Sequence, residues 1–327
     1  MPRRPPAPTP LAYGDMRHRR LGRSGLRVSR LALGTMTWGR GVQEEDCRDQ
    51  LRAFVEAGGT LVDTAYGYAG GAAETVLGTL VGDVVPRDDL VLCTKSGVER
   101  RGETRVVDTS RGGLLHQLDT SLGRLGTDHV DLWLVHAWSG EAPLEETMSA
   151  LETAVASGRT RYVGVSNYNG WQSARAVSLL EQARIPLVAN EIQYSLIHRD
   201  PEFELVGAAA ALGFGLLPWS PLGRGVLTGK YRNGIPSDSR ATSRDFPGFA
   251  ERFLDAHSVA VTEAVATAAR GLQVSPTEVA LSWVRDRPGV TAPIVGARTV
   301  AQLRTALASE ELELPREITQ ALDEVSL

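Results

Sequence analysis

Continuous apolar runs, each a few residues long and rich in leucine and valine, recur along the chain at intervals that leave room for one helix between them. The runs are LALG (31–34), LVDT (61–64), LVLCTK (90–95), VDLWLVH (130–136), YVGVSN (162–167), LVANEIQ (187–193), GFGLLPWS (213–220) and APIVG (292–296). Amphipathic stretches at 46–57, 74–80, 111–124, 143–157, 171–183 and 201–212 separate them. Further helical patterns stand at 258–270, 300–308 and 315–325, with another segment at 276–287. Strands that are apolar throughout, rather than alternating, suit a parallel sheet covered on both faces. Eight such strands in a regular βα rhythm predict an α/β fold of the (β/α)8 TIM-barrel type. The pattern adds a short N-terminal β-hairpin before the first strand and a long loop, about 223–257, after the seventh. The rhythm never breaks at a linker, and no glycine-rich fingerprint follows the first strand, which argues against a separate dinucleotide-binding domain. Residues 18–327 therefore read as one domain, preceded by a proline-rich segment, 1–17, expected to be a disordered tail.

Composition narrows the class. With 42% hydrophobic and 23% charged residues, the 327-residue chain has the profile of a soluble globular protein. A net charge of -4 gives no case for nucleic acid, and no apolar run approaches a membrane span. Two cysteines, Cys47 and Cys93, make neither a disulfide framework nor a metal pattern, so a cytoplasmic location and no metal are expected. Only two of the 35 basic residues are lysines, Lys95 and Lys230. Lysine is a compact charge that titrates more readily than arginine, so both are candidates for chemistry.

In a barrel, the C-terminal ends of the strands converge on one mouth where sites are built. Those ends carry Asp63, Lys95, His136, Ser166 and Asn167, Gln193, Trp219 and Ser220, and Gly296, with two tyrosines, Tyr66 and Tyr68, just beyond Asp63. Singly, each has a structural explanation: a helix N-cap, a solvated amide, a packed imidazole. Together a carboxylate, an ammonium, an imidazole and a phenol form a proton-transfer set. An ammonium beside a phenol favours the phenolate and lowers its pKa, and the carboxylate keeps the buried ammonium charged. Such a tyrosine can protonate a carbonyl oxygen, while the imidazole orients it. Neither a serine nucleophile elbow nor a metal-binding histidine motif is present, so an external hydride donor completes the reaction best. The alternative of Lys95 as a Schiff-base lysine leaves Trp219 and Gln193 without a role. GRGVLTGKY (223–231) superficially suggests a P-loop, but Arg224 and Tyr231 break its register.

The segments DTAYGY…E (63–74), LCTK (92–95), VDLWLVH (130–136), VGVSN (163–167), NEIQYS (190–195), WSPLGRGVLTGKY (219–231) and IVGARTVAQL (294–303) together resemble the aldo-keto reductases. The match runs in order from about Arg20 to the C-terminus. The resemblance implies a bacterial NADPH-dependent reductase near the branch that includes potassium-channel β-subunits. It implies a catalytic tetrad of Asp63, Tyr68, Lys95 and His136, because the family's tyrosine lies five positions after its aspartate. Asp63 with Gly34, Thr35 and Met36 would also border the cofactor. Ser166, Asn167 and Gln193 would hold the nicotinamide carboxamide, and Trp219 would stack on its ring. Ser220, Pro221, Leu222, Gly223 and Gly225 would follow the pyrophosphate. Lys230 and Arg240 would contact phosphate, and Gly296, Arg298 and Gln302 would take the 2′-phosphate end, which favours NADPH over NADH. Trp38, Tyr66 and Trp138 would wall an aromatic substrate pocket. The implied partner is a small carbonyl compound, with no nucleic acid or membrane. A regulatory cofactor-binding subunit is the alternative, though that branch tends to carry Asn where this chain has His136. Two departures stand out. Ala-Gly-Gly-Ala-Ala-Glu (69–74) replaces a commoner Gly-x-x-Ser-Glu, so the loop after the tyrosine is expected to be more mobile. Thr305-Ala306 replaces a Glu-Asn pair near the adenine.

Overall fold

The computed structural model describes residues 14–102, 104–232, 234–236 and 253–327. Twelve strands run in chain order: β1 (His18–Arg20), β2 (Arg27–Ser29), β3 (Ala32–Gly34), β4 (Leu61–Asp63), β5 (Val91–Ser96), β6 (Val98–Arg101), β7 (Thr104–Val107), β8 (Val130–Val135), β9 (Thr160–Ser166), β10 (Leu187–Gln193), β11 (Gly215–Trp219) and β12 (Ile294–Val295). Eight of them form one sheet in the order β11-β10-β9-β8-β5-β4-β3-β12, every pairing parallel, with helices between. The sheet curls into a barrel. Among the described residues, backbone hydrogen bonds link its two ends at the base, where Leu216 in β11 donates to Gly289 O and accepts from Thr291 N, each at 2.9 Å. No ladder joins β11 to β12 themselves.

The N-terminal hairpin β1–β2 is antiparallel, as expected, and has a packing purpose. Leu21 and Val28 join Leu61, Cys93, Leu132, Leu134, Ala189 and Leu217 in a buried cluster that fills the barrel's interior and plugs its lower end. A second, larger core lies between the sheet and the helices and takes the alternate residues, such as Val62, Leu92, Trp133 and Val135. Side chains alternate along a strand with period two, so the inward set can be followed upward. Leu61 leads to Asp63, Cys93 to Lys95, Leu134 to His136, and Ala189 to Glu191. The apolar inside of the barrel thus ends at its top in a ring of ionisable groups.

Two expectations need correction. Residues 14–17 do not belong to a tail: Gly14 N donates to Glu56 O at 2.8 Å, Met16 is buried, and Arg17 N donates to Glu310 Oε1 at 3.1 Å. Residues 1–13 lie outside the described ones. The second hairpin, β6–β7, was not anticipated, because its charged sequence VERRGETRVV hides the strands. It rises directly from β5, and Val98 O sits where a Cβ on Gly67 would be only 2.6 Å away.

Candidate active site

The mouth of the barrel opens into a cavity of about 580 Å³. That size suits a small-molecule or cofactor site. At its floor stand Asp63, Tyr68 and His136, with Lys95 beneath them, wholly buried. Lys95 Nζ makes a short ion pair with Asp63 Oδ1 and lies 5.2 Å from the centroid of the Tyr68 ring. The Tyr68 and His136 rings meet edge to face, with centroids 5.8 Å apart. The four members of the expected tetrad are therefore brought together.

A fifth group joins them. Glu191, buried in β10, places Oε2 2.9 Å from Lys95 Nζ and borders the cavity. Sequence reasoning passed over it in favour of Gln193. Gln193 is not among the described residues bordering the cavity, whereas Glu191, two positions earlier on the same face, is. The period-two pattern was the available signal: Glu191 follows the inward-facing Ala189.

Burial and charge set the protonation states. Burial opposes the Lys95 ammonium, but Asp63 and then Glu191 more than offset it and hold its pKa well above the usual lysine value. Burial pushes the Tyr68 phenol up, and Asp63 and Glu191 add to this; Lys95 pulls the other way without prevailing. The expected lowering of the tyrosine pKa is thus reversed, chiefly because the phenol is buried, with Asp63 and Glu191 adding to the effect. Tyr68 stands as a protonated phenol. Burial, then the Lys95 and Arg105 charges, keeps His136 well below the usual histidine pKa, so its imidazole is neutral. Burial and the Asp63 charge raise the Glu191 carboxyl to about 8. The donor atoms of Asp63, Cys93 and Glu191 lie within 4.8 Å of one another, a set of metal-ligating types. Lys95 already bridges the two carboxylates, however, and burial holds the Cys93 thiol far from its thiolate.

The rest of the cavity has a different character. Ser166 Oγ donates to Glu191 O at 3.0 Å, and Asn167 Nδ2 donates to Ser166 Oγ at 2.9 Å and to His136 O at 3.0 Å. Trp219 Nε1 donates to Asn167 Oδ1 at 3.0 Å, which fixes the indole on the wall. The lining also includes Ser220, Pro221, Leu222, Gly225 and Lys230, and Gly296, Arg298, Gln302, Thr305 and Ala306. Gly34 and Met36 border it as well; Arg224, Thr228 and Thr277 do so without having been anticipated. Thr35 is buried behind the wall, donating through Oγ1 to Asp63 O at 3.0 Å, and Gly223 is likewise off the lining. Arg240 lies outside the described residues. Of six described non-glycine residues with positive φ, Asn167, Ser220 and Arg224 line this cavity and Ala69 follows Tyr68 directly. Such strain gathers where a site over-determines the backbone.

Of the three aromatic residues expected to wall the substrate pocket, none is among the described residues lining this cavity. Trp38 is wholly buried, its indole N–H directed at Gln50 Oε1 3.4 Å away, because it anchors the helix Glu44–Glu56 to the barrel. The Tyr66 ring lies against the Arg124 guanidinium, 4.6 Å from its centroid. Trp138 packs edge to face on Tyr168 and Trp171, each at 5.2 Å. The Ala-Gly-Gly run after Tyr68 adopts three successive left-handed conformations, with φ of 51°, 65° and 98° at Ala69, Gly70 and Gly71. Arg124 lies directly on it: a Cβ on Gly71 would come within 2.3 Å of the guanidinium carbon. The same guanidinium donates to Tyr66 O at 2.9 Å and to Glu74 Oε2 at 3.0 Å, and Thr94 Oγ1 donates to Glu74 Oε1 at 2.6 Å. The segment bearing Tyr68 is therefore tied to β5, next to Lys95, and not left as a loose loop.

Comparison with known proteins bears on this geometry. The model of the aldo/keto reductase family matches residues 30–327. The chain is 34% identical over 320 residues to an uncharacterized oxidoreductase, YrpG, of Bacillus subtilis, covering 95% of this chain and 96% of that protein. It is 35% identical over 302 residues to the L-glyceraldehyde 3-phosphate reductase of Escherichia coli K12, covering 90% and 87%. It is also 33% identical over 299 residues to a probable voltage-gated potassium channel subunit beta of Oryza sativa subsp. japonica, covering 88% and 89%.

Proposed function

Since the chain belongs to the aldo/keto reductase family, we propose that it is an NADPH-dependent carbonyl reductase in which Tyr68 protonates the substrate oxygen. The observation that carries this reading is the cluster at the cavity floor, a protonated phenol beside a buried ammonium and a neutral imidazole.

The residues suit a dinucleotide. The cavity runs from the Asp63–Tyr68–His136 floor past a fixed indole to Lys230, Arg298 and Gln302. Amide and hydroxyl groups of Ser166 and Asn167 are tied to the floor through Glu191 and His136, and the cations Lys230 and Arg298 line the same cavity, groups that a nicotinamide and its phosphates require. The Arg298–Gln302 end also coincides with the N-terminus of the helix Val300–Leu307, where an anion is favoured. When bound, the cofactor supplies the hydride. Ser166 and Asn167 would hold the carboxamide and Trp219 would present a flat face to the ring. Tyr68 Oη gives its proton to the carbonyl oxygen as it gains charge. The neutral His136 imidazole donates a hydrogen bond to the same oxygen and orients it. Lys95 stabilises the phenolate left on Tyr68, and Asp63 holds Lys95 charged in the dry floor. Water is excluded there by the same packing that buries Lys95.

The test is an NADPH-oxidation assay over a panel of aldehydes, small diketones, keto-sugars and phosphorylated aldehydes, the last because one relative is named a glyceraldehyde-phosphate reductase. Turnover of at least one carbonyl is expected. Tyr68→Phe should lower kcat by roughly 10²–10⁴-fold, the range for removing a general acid, with NADPH binding kept. A Tyr68→Phe enzyme within tenfold of the parent would rule out Tyr68 as the acid.

A further inference from the structure

Each carbonyl reduced takes up a hydride and a proton, so the site gives up one proton per turnover and must recover it. In the reading above, on which this inference rests, Tyr68 is the immediate donor. The surroundings of Lys95 identify the group behind it. Lys95 Nζ meets two buried carboxylates, Asp63 through a short contact with Oδ1 and Glu191 at 2.9 Å. Two ionised carboxylates and one ammonium would leave a net negative charge on side chains that are almost wholly buried. An uncompensated charge of that kind is strongly destabilising, so one carboxyl keeps its proton.

The geometry selects which. Asp63 engages the ammonium directly in a hydrogen bond. Glu191 Oε2 lies 2.9 Å from Nζ without forming a well-shaped hydrogen bond to it, and burial and the Asp63 charge favour its protonated form. The ionisable groups around Glu191 are Asp63 from β4, Cys93 and Lys95 from β5, and Tyr68 and His136 across the cavity floor. Lys95 is the single cation among them, and it is already paired. His136 is neutral and does not serve as the store.

We propose that Glu191 holds the proton that resets the site, standing as a neutral carboxylic acid beside the Asp63–Lys95 pair and passing its proton through Lys95 to the phenolate of Tyr68. The steps balance. The Tyr68 O–H bond breaks as the new O–H forms on the substrate. A Lys95 N–H proton moves to the phenolate oxygen, and the Glu191 O–H proton moves to Lys95 Nζ. Glu191 is left a carboxylate and regains a proton from water when product leaves the open cavity. Glu191 acts through Lys95 and is a positioning residue, not one that touches substrate.

The test begins with the protein free of cofactor. Difference infrared spectroscopy between pH 6 and pH 10 should show a protonated-carboxyl band that is lost as pH rises through about 8 and is missing from Glu191→Gln. In turnover, the parent's kcat should fall above that pH. Glu191→Gln should lose the break together with an on-the-order-of-tenfold drop in kcat. Glu191→Asp, which keeps a titrating carboxyl, should restore a break at a shifted pH. The proposal is overturned if the band is absent from the parent, if it persists in Glu191→Gln, or if Glu191→Gln keeps the parent's pH profile. Should Glu191→Gln not fold, the band in the parent and its displacement in Glu191→Asp decide the matter. A parent that turns over no carbonyl defeats the reductase reading, while the infrared band still decides the Glu191 proton.

Discussion

Replacing Arg124 with alanine isolates the clamp that holds the Tyr68 segment. Glu74 is fully buried, and its charge is met by Arg124 at 3.0 Å and by the Thr94 hydroxyl at 2.6 Å. Arg124→Ala removes the cation and leaves the carboxylate stranded, a change that costs about 3–5 kcal/mol when a buried pair is broken. The Arg124 side chain is 24% exposed, so water can enter the gap, and the lower end, about 3 kcal/mol, is the reasonable figure. At ~2.1 cal/mol/K per residue, a chain of this length unfolds with an entropy near 0.7 kcal/mol/K, which turns that loss into a Tm drop of roughly 4 °C. Tyr66 O loses its donor as well, and the three left-handed residues lose the group lying on them. A displacement of about 1 Å at a reacting group is worth on the order of 10²-fold, so kcat should fall by about tenfold to a hundredfold while NADPH binding changes little. Scanning calorimetry without cofactor, paired with steady-state kinetics, reads both effects. Adding Glu74→Gln to Arg124→Ala removes the stranded charge and should recover most of the lost Tm. A Tm shift under about 1 °C, or a double variant no more stable than Arg124→Ala, would refute the clamp.

Other outcomes can be checked with the same protein. Tyr66→Phe should keep activity within about threefold, because the ring that stacks on Arg124 survives; a loss matching that of Tyr68→Phe would exchange their roles. Arg298→Ala should weaken NADPH binding more than NADH binding in a fluorescence titration, and equal weakening would remove the 2′-phosphate assignment. Folded His136 has a pKa well below its ordinary value of 6.5, so below that pH the unfolded chain binds the extra proton. Stability should therefore decline as pH falls beneath 6.5, and His136→Gln should flatten that part of the profile in thermal melts. An unchanged slope would mean that other groups govern it.

Much of this was legible in the residues. Runs such as LVANEIQ and VDLWLVH are apolar on both faces, and β10 and β8 fall where they do. Asp63, Lys95 and His136 stand at strand ends and face inward because each follows an inward apolar residue by two. The same parity pointed to Glu191, but the motif containing it drew attention to Gln193, at the visible end of the strand. Burial could not be read at all. Trp38 looks like a pocket wall in sequence, close to Met36, and only the packing of the helix Glu44–Glu56 shows its indole turned toward Gln50. The direction of the Tyr68 shift was equally hidden, since it depends first on how completely the phenol is buried. The β6–β7 hairpin escaped because its strands carry charge rather than an apolar stripe.

The seam between β11 and β12 has one more consequence. Among the described residues, backbone bonds close the barrel there at the base, through Leu216, while the cavity lining crosses the gap above it, from Trp219–Lys230 on one side to Gly296–Ala306 on the other. A dinucleotide lying along that lining would span the β11–β12 gap, where among the described residues no ladder joins the two strands. It would act as a fastener as well as a reagent. Ligand at a hundred times its Kd would add ~2.7 kcal/mol to global stability, and the amides of β12 and the upper part of β11 are expected to be those most slowed in hydrogen exchange.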